Sequence, residues 1–462
     1  MNQPVTLVGA GLAGSLLSIY LARRGFRVEL FERRPDMRKV TVDRGRSINL
    51  ALSTRGIHAL KDVGLYDEIM KIAIPMKGRM IHPVKGKLAF QRYGKDDSEV
   101  IYATSRANLN IALMNKAGQY PGVRITFNRR CTGMDFNSGE LRVYGEAAGE
   151  EMLARTETVI GTDGSASAIR MDMQKGGRVN FSQTYLDYGY KELEIPPGKD
   201  GEFQLEKNAL HIWPRGSYML IALPNINGSF TCTFFFPFEG ALSFETLDSE
   251  PKVDEFFKHH FPDAHALMPT LLEDFFSNPT GSMVTIKCNP WHVGGKVALL
   301  GDAAHAIVPF FGQGMNCAFE DCTVLDEILG KMETGDRRPE TGEATWASIF
   351  AEYERARKVN TDAIADMAVE NFVEMRDKVA EPRFLLRKKV ELELEKRYPG
   401  EFIPKYSMVT FHRIPYAVAL EKGRVQDEML QELCSSISSV EEVDWEKADG
   451  LMHGQPNHPL LL

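Results

Sequence analysis

Cysteine is scarce in this chain: six in 462 residues. Cys131, Cys232, Cys288, Cys317, Cys322 and Cys434 are scattered and form no CxxC pair, which argues against a disulfide framework or a thiolate metal cage. Positive charge is in deficit, with 55 Lys and Arg against 63 Asp and Glu and a net charge of −8. No global positive field exists to attract a nucleic acid. The apolar runs are broken well short of the ~18 residues a membrane span needs. The opening MNQPVTLVGAG enters a strand at once and leaves no room for a signal peptide. The 11 histidines show no ligand spacing such as HExxH, so no metal is expected. These absences lead us to expect a soluble, cytoplasmic protein. The 43% hydrophobic and 26% charged content is that of an ordinary globular chain, long enough for two or three domains.

One dinucleotide fingerprint is present. VTLVGAGLAGSLLSIYLARRGFRVELFER reads as strand, Gly9-x-Gly11-x-x-Gly14, helix and second strand. Gly9 allows a tight turn, Gly11 lets a pyrophosphate approach, and Gly14 lets the helix pack on the strand. Glu32 ends the second strand, where an acid would bind ribose hydroxyls. Leu12, Ala13, Arg33 and Arg34 complete this candidate set. The unit alone does not say whether the ligand is FAD or a nicotinamide. The absence of a second GxGxxG leaves no separate Rossmann domain for NAD(P)H.

Two further acids stand at the ends of hydrophobic strands, Asp163 in ETVIGTDGSASAIR and Asp302 in KVALLGDAAHAIVPF. Ligands bind at the carboxyl ends of strands in open α/β sheets. After Asp302 the chain reads VPFFGQGMN, and a helix expected from about Asn316 would aim its free amides at a ligand. Backbone amides of Gly314, Met315 and Asn316 could then stabilise negative charge without a titrating side chain. Gly312 and Gly314 would keep side chains away, Gln313 lies between them, and Pro309, Phe310 and Phe311 would form an apolar wall.

Between about 176 and 285 the pattern changes to alternating strands such as ALHIWPRGSYMLIALPN and SFTCTFFFPFEG. Their residues Leu210, Ile212, Met219, Ile221, Phe234 and Phe236 serve either core packing or one side of a dry pocket. Arg79 and Ile81 fall on one face of a strand, so the guanidinium should point inward and need an anionic partner. The last hundred residues read as helices. Asn371 falls on an apolar stripe there, as a satisfied core amide or a ligand contact. The polar segment after Cys434 is expected to be loosely packed.

The three nucleotide-type segments together resemble the flavoprotein aromatic hydroxylases of the para-hydroxybenzoate hydroxylase type. RGRSINLALSTRG, PMKGRMIHPVKGK, YGKDDSEVIYATSR, GDAAHAIVPFFGQGMNCAFED, ENFVEM and FIPKYSMVTF are similar, more narrowly, to the kynurenine 3-monooxygenase family. The resemblance implies an α/β fold: a Rossmann-like FAD-binding domain (1–70, 101–175 and 286–335), a substrate domain with an antiparallel sheet (71–100 and 176–285), and a helical region (336–434) before the tail (435–462). It implies bound FAD and a transient NADPH. The substrates would be L-kynurenine and O2, with hydroxylation at ring carbon 3 through a flavin C4a-hydroperoxide and no side-chain acid or base.

By the same resemblance Arg79, Tyr93, Asn371 and Tyr406 hold the substrate carboxylate. Leu210, Met219, Ile221, Phe235, Pro309 and Phe310 surround the ring. Arg106, Ala51 and Cys131 match positions near FAD, Asp302 the ribityl-binding acid, and Asp163 a segment bearing on FAD and pyridine nucleotide. A related FAD hydroxylase of another aromatic carboxylate or phenol stays open, as does a redox-idle FAD scaffold. The chain departs from eukaryotic members in lacking a hydrophobic carboxyl-terminal segment, so membrane anchorage is not expected. Monomer and homodimer are both open.

Overall fold

The structure is a computed structural model that describes residues 4–40, 49–146, 149–332, 342–379 and 381–453. Residues 44–48 of the RGRSINLALSTRG motif and 454–462 of the tail lie outside the described residues. The chain divides into two units: Met1–Ala73, Thr104–Leu186 and Met283–Ala365 form one, and Ile74–Ala103, Asp187–Ser282 and Asp366–Leu462 the other.

In the first unit the apolar run Val5–Val8 lies inside a six-stranded sheet, in the order His292–Val293, Val297–Leu299, Thr158–Gly161, Val5–Val8, Val28–Phe31, Val123–Thr126. All pairs are parallel except at the His292–Val293 edge. Such strands are covered on both faces, which explains why Val5–Val8 and Thr158–Gly161 are buried at every position. The helix Leu12–Arg23 makes the crossover between Val5–Val8 and Val28–Phe31. All the candidate FAD residues belong to this unit.

The second unit is built on sheet strands ordered Asn180–Ile195, Phe230–Pro237, Met219–Pro224, Ala209–Pro214, Gly78–Ile81, Ala89–Arg92, the first of them from Asp187 onward. The hairpin strands pair antiparallel, and Gly78–Ile81 adds in parallel to Ala209–Pro214. Phe234, Phe236, Leu220 and Trp213 lie on one face and join the core formed with helices Glu250–His260 and Leu271–Ser277. Phe235 therefore points the other way, since successive strand residues alternate.

The carboxyl-terminal helices Pro382–Arg397, Tyr416–Leu433 and Trp445–His453 share a core of their own. This corrects the expectation for the tail: Val443, Ala448 and Met452 are buried in that core. The segment hid because its apolar residues are spread over a short 3-10 turn and a nine-residue helix, too short for a period to stand out. No helix among the described residues is long and apolar enough to cross a membrane.

Candidate active site

In the first unit the glycine turn is held by its neighbours. Gly9 has φ +100, and a Cβ on it would lie 2.7 Å from the Thr162 carbonyl oxygen. A Cβ on Gly14 would sit 2.0 Å from the Gly9 carbonyl oxygen, whereas one on Gly11 meets nothing within 4 Å. Gly14 thus serves helix-to-strand packing, and Gly11 faces open space where a pyrophosphate could lie. These positions give opposite expectations. Gly11→Leu should keep the melting temperature of the apoprotein and lose FAD retention, while Gly14→Leu should lose the fold itself. A Gly11→Leu protein with full flavin occupancy contradicts the assignment.

Glu32 is buried at the end of its strand, and its carboxylate accepts from the Ala10 amide at 2.8 Å and from the Arg34 amide and Nε. Asn110, which the sequence reading missed, donates from Nδ2 to the Ala10 carbonyl at 3.1 Å. The acid and the amide together fix the turn from both sides. Arg33 is exposed, and Leu12 and Ala13 open the helix. Arg106 is exposed at the first position of helix Arg106–Ala117 and makes no ion pair among the described residues.

Asp163 accepts from the Ala168 amide through Oδ2, while its Oδ1 is buried without a partner. Burial holds its carboxyl above the usual range. The Cys131 thiol is pushed up to about 12, first by burial and then by Asp163. Asp302 is exposed and opens the short helix Asp302–His305. Open space over Gly11, the orphaned Asp163 oxygen and the exposed Asp302 at a strand's carboxyl end fit an FAD-type ligand.

The helix expected from about Asn316 begins at Gly314, with Gln313 as its cap and Gly312 left-handed at φ +64. A Cβ on Gly312 would lie 3.0 Å from Ala51 Cβ, but one on Gly314 would meet only Ile307 at 3.8 Å. The Gly314, Met315 and Asn316 amides lie in the first turn and have no intrahelical acceptor.

Beside the backbone amide expected to act, Asn316 contributes its side chain. Its side chain is fully buried: Oδ1 accepts from the Ser53 amide at 2.9 Å, and Nδ2 donates to the Ala51 and Gly312 carbonyls, each at 2.8 Å. The Gln313 side chain donates from Nε2 to Ser53 Oγ at 3.3 Å. Phe310 and Phe311 are buried in a 3-10 turn whose first residue, Pro309, is exposed.

Beneath this turn lies an ionic cluster that sequence reading did not anticipate. The Asp321 carboxylate receives His305 Nε2 at 2.6 Å, Arg357 Nε at 2.7 Å and the Gly301 amide at 3.2 Å. Glu320 receives Arg55 and Arg357. His305, Cys317 and Asp321 are close enough to hold a metal, but the Arg357 guanidinium already bonds both Cys317 and Asp321, and its charge opposes a cation. Burial alone would lower the His305 pKa, yet the Asp321 carboxylate outweighs it and pushes the imidazole up to about 10. A raised folded value means that the pair stabilises fully below the ordinary 6.5 and that this is lost as pH rises through about 10. The melting-temperature gap between parent and His305→Gln should therefore be widest near pH 6.5 and close toward pH 10; a constant gap contradicts the assignment.

The second unit holds the anion-binding candidates. Register places Arg79 opposite Leu210, Ile81 opposite Ile212, Ile212 opposite Ile221 and Met219 opposite Phe235. Opposed residues share a face, so Arg79, Leu210, Met219, Ile221 and Phe235 all lie on the face turned away from the helix-packed core. Arg79 is 8% exposed, and its guanidinium lies 5.6 Å from the Tyr93 ring and 5.4 Å from the Tyr406 ring. Those rings stack at 5.3 Å.

Arg79 Nη1 is 3.8 Å from Glu374 Oε1, and Nε is buried without a partner. Burial disfavours the arginine's charge, but Tyr93, Tyr406 and Glu374 outweigh it and hold its pKa above the usual value. Burial raises both phenols well away from ionisation, so each keeps a hydroxyl proton to donate. Asn371 is buried, and its amide meets Met375 Sδ at 3.5 Å. Glu374 was missed; it stands three residues after Asn371 in ENFVEM, a spacing that puts both on one helical face.

Comparison with known proteins agrees with this layout. Residues 2–345 match the family described as FAD binding domain. Kynurenine 3-monooxygenase of Myxococcus xanthus (strain DK1622) is 57% identical over 454 residues, covering 98% of this chain and 96% of that protein. The Dictyostelium discoideum kynurenine 3-monooxygenase is 47% identical, with 98% of each covered. Among solved structures, 2-methyl-3-hydroxypyridine-5-carboxylic acid oxygenase aligns with a TM-score of 0.64 at 20% identity, over 84% of this chain and 96% of that one. The p-nitrophenol 4-monooxygenase of Pseudomonas putida DLL-E4 aligns with a TM-score of 0.65 at 18% identity, over 86% and 96%. The likeness to these structures shows the fold; the near full-length identity to the first two proteins shows that the chain belongs to the kynurenine 3-monooxygenase family of FAD-dependent monooxygenases.

Proposed function

We propose that this chain hydroxylates L-kynurenine at ring carbon 3, consuming NADPH and O2 and releasing 3-hydroxy-L-kynurenine, and that it does so in the cytoplasm. The observation that carries the reading is one sheet face on which a buried guanidinium, flanked by two protonated phenols, continues into the apolar row Leu210, Met219, Ile221 and Phe235. That polarity suits a ligand with a carboxylate at one end and an aromatic ring at the other.

In this reading the first unit holds FAD through Gly9–Gly14, Glu32, Arg106, Asp163, Asp302 and the 312–316 turn. Bound FAD supplies the means to take electrons from NADPH and to activate O2. Arg79 pairs with the substrate carboxylate, Tyr93 and Tyr406 donate hydroxyl protons to it, and Asn371 offers its amide. The apolar row orients the ring and excludes water. The ring amine of kynurenine donates electron density to the ortho carbon, so attack there needs no protein base.

Chromatographic detection of 3-hydroxykynurenine, together with NADPH oxidation, tests the reading. Kynurenine should stimulate the oxidation and yield product. Stimulation by a simple phenol or another aromatic carboxylate instead would favour a related hydroxylase, and no stimulation by any of them a redox-idle scaffold.

A further inference from the structure

On the sheet face opposite Arg79, two histidines and a carboxylate form a buried chain. His211 Nε2 bonds the Glu206 carbonyl at 2.8 Å, His211 Nδ1 bonds His82 Nε2 at 2.9 Å, and His82 Nδ1 bonds Asp263 Oδ2 at 2.7 Å. Both histidines are buried, and the His82 ring stacks on Trp213 at 3.9 Å. These three hydrogen bonds need three protons, and two neutral imidazoles bring only two. An ionised Asp263 and the Glu206 carbonyl are acceptors only, so the chain as a whole holds one more.

The proton's place follows from the partners. Trp213 Nε1 donates to the same Asp263 oxygen at 2.9 Å, so that oxygen accepts two hydrogen bonds, which suits an ionised carboxylate. Burial works to raise the Asp263 pKa, but His82 and Trp213 outweigh it and hold it at about 2. Burial, above all, lowers His211 to about 4. The three hydrogen bonds are met together when His82 donates from both nitrogens, to Asp263 and to His211. The other titratable neighbours are Arg215, which donates to the His82 carbonyl and to the His260 carbonyl, and Tyr218, whose hydroxyl meets His260 Nδ1 at 2.7 Å.

The sequence positions make this chain a clamp. His211 stands between Leu210 and Ile212, and His82 directly follows Ile81, with its amide bonded to the Ile212 carbonyl at 2.8 Å. We propose that His82 and His211 are positioning residues for the substrate: by sharing an extra proton with Asp263 they lock strand Gly78–Ile81 onto Ala209–Pro214 and so fix Arg79 and Leu210 on the opposite face. Without that proton two acceptors face each other, one hydrogen bond is lost, and the end of the strand that carries Arg79 loosens. The inference rests on the reading of Arg79 as the carboxylate anchor.

Two measurements on the FAD-loaded protein test it. The first, nitrogen-15 NMR of labelled histidines, needs no ligand: at pH 7 His82 should be protonated at both nitrogens and His211 at Nε2 alone. A single neutral tautomer at His82 overturns the proton count. The second is kynurenine affinity, read from flavin absorbance between about pH 6 and about pH 9, where histidines titrate. The parent Kd should rise roughly 3- to 10-fold as the His82 signal loses its proton, the effect of one hydrogen bond.

Asp263→Asn, half-exposed and so expected to fold, removes the charge that holds the proton. It should bind kynurenine more weakly, with a flat pH profile and unchanged FAD occupancy and kcat. A parent Kd that ignores the His82 titration, or an Asp263→Asn protein that loses FAD and kcat while keeping its Kd, overturns the positioning role. A parent protein that binds no kynurenine overturns the function proposed above, and the NMR result still decides the proton count.

Discussion

Arg79→Met should weaken kynurenine binding by roughly 30-fold to a few thousand-fold, about 2–5 kcal/mol, while FAD content and melting temperature hold. The structure gives reasons for both halves. A buried guanidinium whose Nε has no partner, and whose nearest carboxylate oxygen lies 3.8 Å away, is incompletely neutralised. A ligand carboxylate would meet that need with two parallel hydrogen bonds, a geometry that lysine does not reproduce, so Arg79→Lys should recover little. Methionine in its place removes an unmet donor and fills most of the volume, which is why the fold should survive. Glu374, left behind, is partly exposed and can be solvated. The measurement is a kynurenine titration followed by flavin absorbance beside a thermal melt. Parent-like affinity with a lowered melting temperature would show that Arg79 is a structural ion-pair residue and would sink the anchor assignment.

What could be read in the sequence depended on how far apart the partners lie in the chain. The turn Gly9–Gly14 and Glu32 belong to one βαβ unit of about thirty residues, where strand and helix periods set every position. The inward direction of Arg79 was legible too, because strand alternation places it with Ile81. That Leu210, Met219, Ile221 and Phe235 join its face could not be derived from alternation alone. It required the parallel register Leu210 to Arg79 and the antiparallel registers beyond it. The ionic cluster was invisible for the same reason: Asp321 gathers Gly301, His305 and Arg357, and Arg55 reaches Glu320 from 265 residues away. Each of these residues, taken singly, reads as an ordinary polar position. The tail misled in the opposite sense, since its few apolar residues bury well despite showing no period.

Asn316→Ala should prove more damaging than Met315→Ala, costing about 2–4 kcal/mol of stability and most of the FAD occupancy. From the sequence, both residues are expected to act through their backbone amides, and alanine at either to be milder than proline at 315. The Asn316 side chain instead ties the start of helix Gly314–Lys331 to the strand Asn49–Leu52 and the following Ser53, through bonds spanning 263 and 265 residues. Alanine strands the Ser53 amide and the Ala51 and Gly312 carbonyls where the side chain was fully buried. Each stranded group carries a desolvation cost that water cannot relieve unless it enters the gap.

Gly56 adds a constraint: a Cβ there would lie 2.6 Å from Asn316 Oδ1, so the amide is enclosed and has little room to find other partners. Asn316→Asp offers a control, since it keeps the acceptor for Ser53 and places a carboxylate against two carbonyls; it should be at least as harmful as alanine. Met315→Pro addresses the amide separately, because proline is tolerated in a helix's first turn and removes only the N–H. Thermal melts and flavin-to-protein absorbance ratios across the four variants check the order. An Asn316→Ala protein that melts with the parent and keeps its flavin would mean that the 312–316 turn is held by other contacts and that the amides alone carry its role.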